Sequence, residues 1–171
     1  MFSAVPLHPC HFGLLDRQPS QLVQLGVEVA MDDEEMYALA AEREAWACYD
    51  GDRLIACIGI RETFPQTQGV AWAVLATGIG RSHLALTRFA RSRILGSGLQ
   101  RIEAVARAGD AEAVLAQYPD LDAAQLAEAV MAIATPECAW ARLVGLSPAH
   151  VLRKFGQAAE THMLFERIGN G

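Results

Sequence analysis

The sequence predicts a mixed α/β fold in which one central mixed β-sheet of about six to seven strands is flanked by helices. Three observations predict it. Strand-like and helix-like segments alternate in the order strand, helices, three strands, helix, strand, helices, two strands. Asp50-Gly51 joins two apolar runs, as a tight hairpin does. A third apolar run ends at Gly78 and Gly80, directly before a helical segment.

Length and composition suit one domain, which we expect to span residues 1–171. Hydrophobic residues make up 52% of the chain and charged residues 20%, so it buries a normal core without disulfides or metals. No apolar run approaches the ~20 residues of a membrane span, and the N-terminus lacks the basic residues of a signal peptide. The formal charge of -6 argues against direct nucleic-acid binding and against an anionic membrane surface.

The first fifty residues predict one strand followed by helices. The strand is expected within residues 2–9. Ser20 is a suitable N-cap for a first helix that ends at Gly26, and Asp32 or Asp33 is a suitable N-cap for a second helix.

The cysteines are expected to be reduced thiols of a cytosolic protein, because no two of them have the spacing of a metal or redox motif. They are Cys10, Cys48, Cys57 and Cys138. His8 and His11 flank Cys10, but a metal site there needs further ligands from elsewhere in the chain. We therefore expect no metal, and a loop or a strand start around Pro9.

The middle of the chain predicts three successive strands. Asp50-Gly51 supplies the positive φ angles of a tight turn between the first two. The run from Leu54 to Ile60 is apolar on both faces, which is typical of a central strand. Residues 62–68 predict a loop, and residues 69–76 predict another buried strand.

Residues 81–98 predict a helix that ends near Gly96. Three arginines share one face of this helix, because seven residues make about two turns. This face either contacts phosphates or is simply solvated. The arginines are Arg81, Arg88 and Arg91, and the apolar residues Leu86, Phe89 and Ile94 lie near another face.

The last third of the chain predicts a strand, three helices and two closing strands. Thr135 is placed to cap the third helix, and Gly145 to end it. The strand covers residues 99–107, the first two helices 109–118 and 121–134, and the closing strands 150–156 and 161–168, joined by residues 157–160.

This order, and the text of several segments, resembles the GNAT-fold N-acetyltransferases over most of the chain. "AWACYDGDRLIACIGI" is similar to the second and third strands of that family, and "VAWAVLATGIGRSHLALTRFA" to its cofactor strand, loop and helix. The closing segment from Cys138 to Ile168 is similar to its C-terminal helix and strands. The resemblance implies a bent sheet, acetyl-CoA as the cofactor, and an inserted helical segment near residues 108–134.

The resemblance also implies a cofactor loop. The family motif is Gln or Arg, two residues, Gly, one residue, and Gly or Ala; the matching positions are Leu75, Gly78 and Gly80, so the first position departs from the motif. Backbone amides at such a helix start bind the diphosphate of the cofactor. The implied cofactor-binding residues are Val74, Leu75, Gly78, Ile79, Gly80 and Arg81.

The acid and the base of the family are not recognisable, so no catalytic residue is assigned. The resemblance places the tyrosine acid four residues before Gly145, where this chain has Ala141, and residues 69–76 contain no carboxylate base. Glu62 or His83 could substitute through water, and each has a surface or capping role as its alternative.

A closer likeness is to the small GNAT-like proteins of tailed bacteriophages, of the internal virion protein A type. It implies a virion-associated structural or interaction component, in the host cytoplasm or the virion, whose acetyltransferase activity is degenerate or lost. Partners would be other phage structural proteins or further copies of the chain, with the 108–134 segment as a docking face or simply packed on the core. The alternatives are an active acetyl-CoA-dependent N-acetyltransferase on an unknown amine and a CoA-binding sensor.

Overall fold

One seven-stranded sheet organises the chain in the computed structural model, which describes residues 1–19, 32–133, 135–156 and 158–169. The strands are β1 (Phe2–Pro6), β2 (Glu44–Asp50), β3 (Arg53–Phe64), β4 (Gln68–Leu75), β5 (Arg101–Arg107), β6 (Ser147–Phe155) and β7 (Glu160–Ile168). The helices are α1 (Cys10–Leu14), α2 (Asp33–Ala40), α3 (Ser82–Gly96), α4 (Ala111–Gln117), α5 (Ala123–Ala132) and α6 (Pro136–Leu143). The predicted mixed α/β class and order of elements are confirmed.

The strands follow the order β1-β2-β3-β4-β5-β7-β6 across the sheet. Every neighbouring pair is antiparallel except β4 and β5, which run parallel and are joined by α3 as a crossover helix. The parallel pair therefore divides the sheet into an N-terminal half, β1 to β4, and a C-terminal half, β5 to β7.

The β2–β3 hairpin forms as its sequence predicts, with one refinement. Asp50 pairs with Arg53, so the turn residues are Gly51 and Asp52 and not Asp50-Gly51. Gly51 alone of these takes a left-handed conformation, with φ at +59°. Residues from Leu54 to Ile58 are all buried, which agrees with an interior strand covered on both faces.

Three segments differ from their predictions. Residues 7 and 8 form a loop, as expected, but Pro9 then caps the short helix α1 and starts no strand, because its fixed φ suits a helix start and Phe12 is then buried. The predicted loop over 62–68 is mostly strand: Phe64 pairs with Gln68, which leaves a three-residue turn. The connection between β6 and β7 is residues 156–159, one residue earlier than predicted.

Of the two helices predicted within the first fifty residues, the structure describes only the second. Asp32 caps α2 by accepting the backbone N–H of Glu35 at 2.8 Å, as expected. The helix predicted from Ser20 to Gly26 lies outside the residues that the structure describes.

Helices cover the sheet on both faces. On one face, Phe12 of α1 contacts the ring of Trp72 of β4, with centroids 6.0 Å apart. On the other, Phe89 of α3 contacts Trp46 of β2 edge to face at 5.8 Å. Helices α4 and α5 carry Val114, Leu126 and Val130 into the core, so the 108–134 segment packs at least partly on its own protein.

Candidate functional site

A cleft opens where β4 and β5 part. The two strands pair through only three residue pairs, from Gln68↔Arg101 to Val70↔Glu103. Beyond these pairs β4 continues to Leu75 and β5 to Arg107, and the space between them is a cavity of about 540 Å³. Strand β4, predicted to be buried, is mostly half-buried because it borders this cleft.

Helices α3 and α6 line the cleft, and so do Leu39 of α2 and Gln18. The Gln18 backbone N–H donates to the Leu75 carbonyl of β4 at 2.9 Å. Along α3 the lining runs from His83 to Ile94, roughly 16 Å at about 1.5 Å per residue. Ile79, in the loop before α3, also lines the cleft, so loop and cleft form one continuous surface.

The loop between β4 and α3 is held from one side. The Thr77 hydroxyl donates to the Asp16 carboxylate, and the Thr77 backbone N–H donates to the Asp16 carbonyl at 2.8 Å. The Arg53 guanidinium donates to the Gly78 carbonyl at 3.2 Å and to the Thr77 carbonyl. These contacts fix two loop carbonyls toward Arg53.

The backbone N–H groups of the same loop are unpaired. Within the described residues, the N–H groups of Gly78, Ile79, Gly80 and Arg81 donate to no protein acceptor, whereas the next one, at Ser82, donates to the Ile79 carbonyl at 3.0 Å. Gly80 is left-handed, with φ at +49°, and Arg81 is right-handed. This alternation turns successive N–H groups into one concavity that suits an anion.

Within the described residues no side chain accepts the four loop N–H groups, although the Asp50 carboxylate accepts the hydroxyl of Ser82 next to them. Helix α3 has no side-chain N-cap and no acidic residue in its first turn, unlike α2, α4, α5 and α6, whose N-caps accept backbone N–H groups. The free N–H groups and the positive end of the helix dipole therefore remain available to an external anion.

The six residues implied by the sequence resemblance lie together in one segment, from the end of β4 to the start of α3. Val74 and Ile79 are buried and line the cleft, and Leu75 lines it half-buried. The glycines supply the two left-handed positions, and Arg81 is exposed at the N-cap of α3. Sequence analysis missed Gln18, whose side-chain amide donates to the Ala76 carbonyl at 3.0 Å. No local pattern predicts that contact.

One ion pair lines the far end of the cleft. The Arg93 guanidinium donates to both carboxylate oxygens of Glu44, with Nε to Oε2 at 2.8 Å, and stacks over the Trp46 ring at 5.2 Å. Burial raises the pKa of Glu44, but the hydrogen bonds from Arg93 and Trp46 and the charge of Arg93 outweigh it and lower that pKa overall. Glu44 therefore remains ionised and is a weak base.

His83 is the one imidazole among the described residues that line the cleft. The Thr87 hydroxyl donates to the His83 carbonyl at 2.7 Å, accepts from Trp140 Nε1 at 2.9 Å, and lies 3.4 Å from His83 Nδ1. Ala141, at the place of the family tyrosine, is buried against the cleft and has no proton to transfer. Trp140 is already used as a donor to Thr87.

Glu62 has a structural role outside the cleft. It is exposed and accepts the backbone N–H of Gln66 at 2.9 Å, which stabilises the β3–β4 turn, where Gln66 is left-handed. The capping alternative fits this geometry better than a role as base.

The cysteines are free, and three of them are buried. Burial, with the Cys57 thiol nearby, raises the pKa of Cys48 to about 12, and burial raises the pKa of Cys57 to about 12. Cys10 is exposed, with Sγ 3.0 Å from His8 Nδ1.

The described part of the chain contains no cluster of three or more His, Cys, Asp or Glu side chains that could hold a metal. None of its helices is long and apolar enough to cross a membrane.

Comparison of the sequence with protein-family models and with curated proteins finds no match. Solved structures do match. A GNAT-family acetyltransferase from Bacillus anthracis has a TM-score of 0.60 at 10% identity, over 98% of this chain and 94% of that chain. An N-acetyltransferase from Staphylococcus aureus has a TM-score of 0.61 at 11% identity, over 98% and 97%.

A GNAT-like decarboxylase in complex with isobutyryl-CoA has a TM-score of 0.65 at 10% identity, over 97% of this chain and 98% of that chain. Identities this low establish architecture and not activity. The seven-stranded sheet, its parting between β4 and β5, and these structural matches show that the chain adopts the GNAT fold.

Proposed function

We propose that this protein binds a coenzyme A thioester, with the diphosphate at the loop before α3 and the acyl-bearing arm in the cleft between β4 and β5. The observation that carries the proposal is the row of unpaired N–H groups from Gly78 to Arg81 beside an apolar cleft. A diphosphate supplies the acceptors that these donors lack. A bound thioester would supply an activated acyl group.

The residues present suit such a ligand. An added Cβ at Gly78 would meet nothing within 4 Å, and one at Gly80 would meet only the Gly78 carbonyl, at 3.9 Å, so the loop is open to a ligand. Ile79 and Val74 present apolar surface next to the loop. The departure at Leu75 removes one side-chain donor of the family motif but none of the four backbone donors.

A binding titration tests this proposal. At a concentration 100 times its Kd, CoA should stabilise the fold by roughly 2.7 kcal/mol, a rise of roughly 5–10 °C in melting temperature for a chain of this size. Gly80→Trp should abolish the rise. Gly156→Trp is the matched control, because Gly156 is also left-handed and open but lies in the β6–β7 turn. No stabilisation of the unmodified chain by millimolar CoA would refute the proposal.

We further propose that acyl transfer by this site is weakened or lost. Two observations support this proposal: Ala141 stands where the family has its tyrosine, and the carboxylate of Glu44 is held by Arg93. The reaction test is release of CoA thiol from acetyl-CoA in the presence of primary amines. Cys10 is exposed and would itself react with a thiol reagent, so the assay requires a Cys10→Ser background. Release of CoA thiol well above the uncatalysed rate would contradict the proposal that acyl transfer is weakened or lost.

The second candidate is an active N-acetyltransferase on an unknown amine, and His83 favours it. Its ring lines the cleft in the first turn of α3, where it can accept a proton from an incoming amine directly or through water. His83→Gln should then abolish turnover and leave CoA binding intact. The control His150→Gln, at an exposed histidine on β6, should leave both turnover and CoA binding unchanged. Equal loss in both variants would exclude His83 as the base.

We also propose that the protein is a component of a bacteriophage particle. This proposal rests on the likeness of its sequence to phage proteins. Tyr118 and Ile133, at the ends of α4 and α5, are more than half exposed and offer a contact surface for other virion proteins or a second copy. Mass spectrometry of purified particles from a phage that encodes the chain should detect it in fixed stoichiometry. Its absence from such particles would contradict the proposal.

A further inference from the structure

Alanine occurs on four walls of the cleft, whereas α2, β2 and β3 contribute larger side chains such as Leu39, Trp46 and Ile58. Strand β4, helix α3, strand β5 and helix α6 each contribute one or two small apolar side chains at the positions that face the cavity. These residues are Ala71, Ala73, Ala90, Ala104, Ala106 and Ala141. Four different elements thus meet around the same space without a large side chain at these positions.

Small residues at close-packed contacts normally allow two elements to approach until no space remains. Here a cavity of about 540 Å³ persists between the walls, so the alanines leave room and do not close it. A space of this size is typical of a ligand site.

Most of the lining is apolar, and the charged residues in it are an ion pair and the side chains of Glu35, Arg61 and Glu137, of which Glu35 and Arg61 are exposed to solvent. Glu44 and Arg93 neutralise one another at the far end of the cleft, and Trp46 covers the guanidinium. The occupant that such walls stabilise is an aliphatic group, because apolar contact is what an alanine wall provides.

We propose that the acyl group this cleft accepts is an aliphatic chain longer than acetyl, such as butyryl to octanoyl. The proposal rests on the proposed coenzyme A function, since it assigns the acyl end of the same ligand. The loop N–H groups hold the diphosphate, Ile79 leads from the loop into the cleft, and the chain occupies the space between Ala90 of α3 and Ala141 of α6. The alanines are specificity-determining residues and take no part in proton transfer.

The experiment measures the affinity of CoA, acetyl-CoA, butyryl-CoA, hexanoyl-CoA and octanoyl-CoA by calorimetry on the full chain. Each methylene that the cleft buries should raise affinity up to about fourfold. We expect at least a tenfold preference for hexanoyl-CoA over acetyl-CoA. Equal affinities for all members of the series, CoA included, would overturn the proposal that the cleft holds an acyl chain and would leave the proposal of coenzyme A binding intact. No binding of any member would overturn both.

Variants locate the chain in the cleft. Ala141→Leu fills the space from α6 and should cancel the preference for hexanoyl-CoA over acetyl-CoA. Ala90→Leu repeats the test from α3, should Ala141→Leu not fold. Ala139→Leu is the matched control, because Ala139 is exposed on the same helix α6. A chain-length preference that survives both cleft variants would show that the acyl group lies elsewhere and overturn the proposal.

Discussion

The Trp72 indole lies across Gly59, its cross-strand partner between β4 and β3. A Cβ on Gly59 would come within 2.7 Å of Trp72 Cζ2 and 2.6 Å of the Glu44 carbonyl. The glycine is therefore required by close approach, although it is not in a left-handed conformation. Trp72 is thereby positioned at the edge of the cleft, so sheet packing and the shape of the site are coupled.

Gly59→Ala should destabilise the fold by about 1–3 kcal/mol, because backbone and a ring must move to admit one methyl group. Chemical denaturation of the variant measures this loss. Gly98→Ala is the matched control, since an added Cβ there meets nothing within 4 Å, and its free energy of unfolding should change little. Equal effects of the two substitutions would contradict the packing argument.

Arg53→Gln should weaken CoA binding up to about tenfold and lower the free energy of unfolding by about 1–3 kcal/mol. Arg53 holds the carbonyls of Thr77 and Gly78, and losing two hydrogen bonds of about 0.5–1.5 kcal/mol each loosens the loop that presents the N–H groups. Calorimetric titration measures the change. Arg142→Gln, at an exposed arginine on α6, should bind as the unmodified chain does. Undiminished affinity in Arg53→Gln would exclude this positioning role.

Glu44→Gln should destabilise the fold by about 1 kcal/mol near neutral pH, as expected for a half-buried, bidentate ion pair with Arg93. The pKa of Glu44 is lowered in the folded chain, so its ionised form stabilises the fold above the ordinary value of 4.5. That contribution is lost as pH falls below 4.5 through the lowered pKa.

Denaturation curves of the Glu44→Gln variant and the unmodified chain should therefore converge in acid. Glu128→Gln, at an exposed carboxylate on α5, should follow the unmodified chain throughout. A stability difference that persists unchanged below the lowered pKa would rule out the ion pair as its cause.

Cys10 should be the one thiol that reacts rapidly with a thiol reagent in the folded protein. It is exposed, whereas burial raises the pKa of the thiols of Cys48, Cys57 and Cys138 and shields them. One equivalent should react at once and three more only in denaturant. Cys10→Ser should remove the rapid phase, and rapid reaction of a second thiol would show that the core opens.

The local elements were largely predictable, because each carries its own signal. The Gly51 turn, the Asp32 cap and the helix after Gly80 follow from residues close together in sequence. Helix α1 was missed because Pro9 suits a helix start as well as a loop.

The site itself could be predicted only as a stretch of chain. The six implied cofactor-binding residues, which lie within residues 74–81, were expected together. The parting of β4 and β5 depends on pairing between segments far apart in sequence. The contacts of Arg53, Asp16 and Gln18 with the loop likewise join distant segments, and no spacing rule indicates them. The alanine walls come from four separate elements and have no shared pattern.

The most direct test of the central claim is the response of individual backbone amides to CoA, measured by nuclear magnetic resonance on the ¹⁵N-labelled chain. We predict the largest shifts at the N–H groups of Gly78, Ile79, Gly80 and Arg81, with smaller shifts along β4 at Val74, and none at Gly156. Saturating CoA that leaves the four loop amides unmoved would contradict the account.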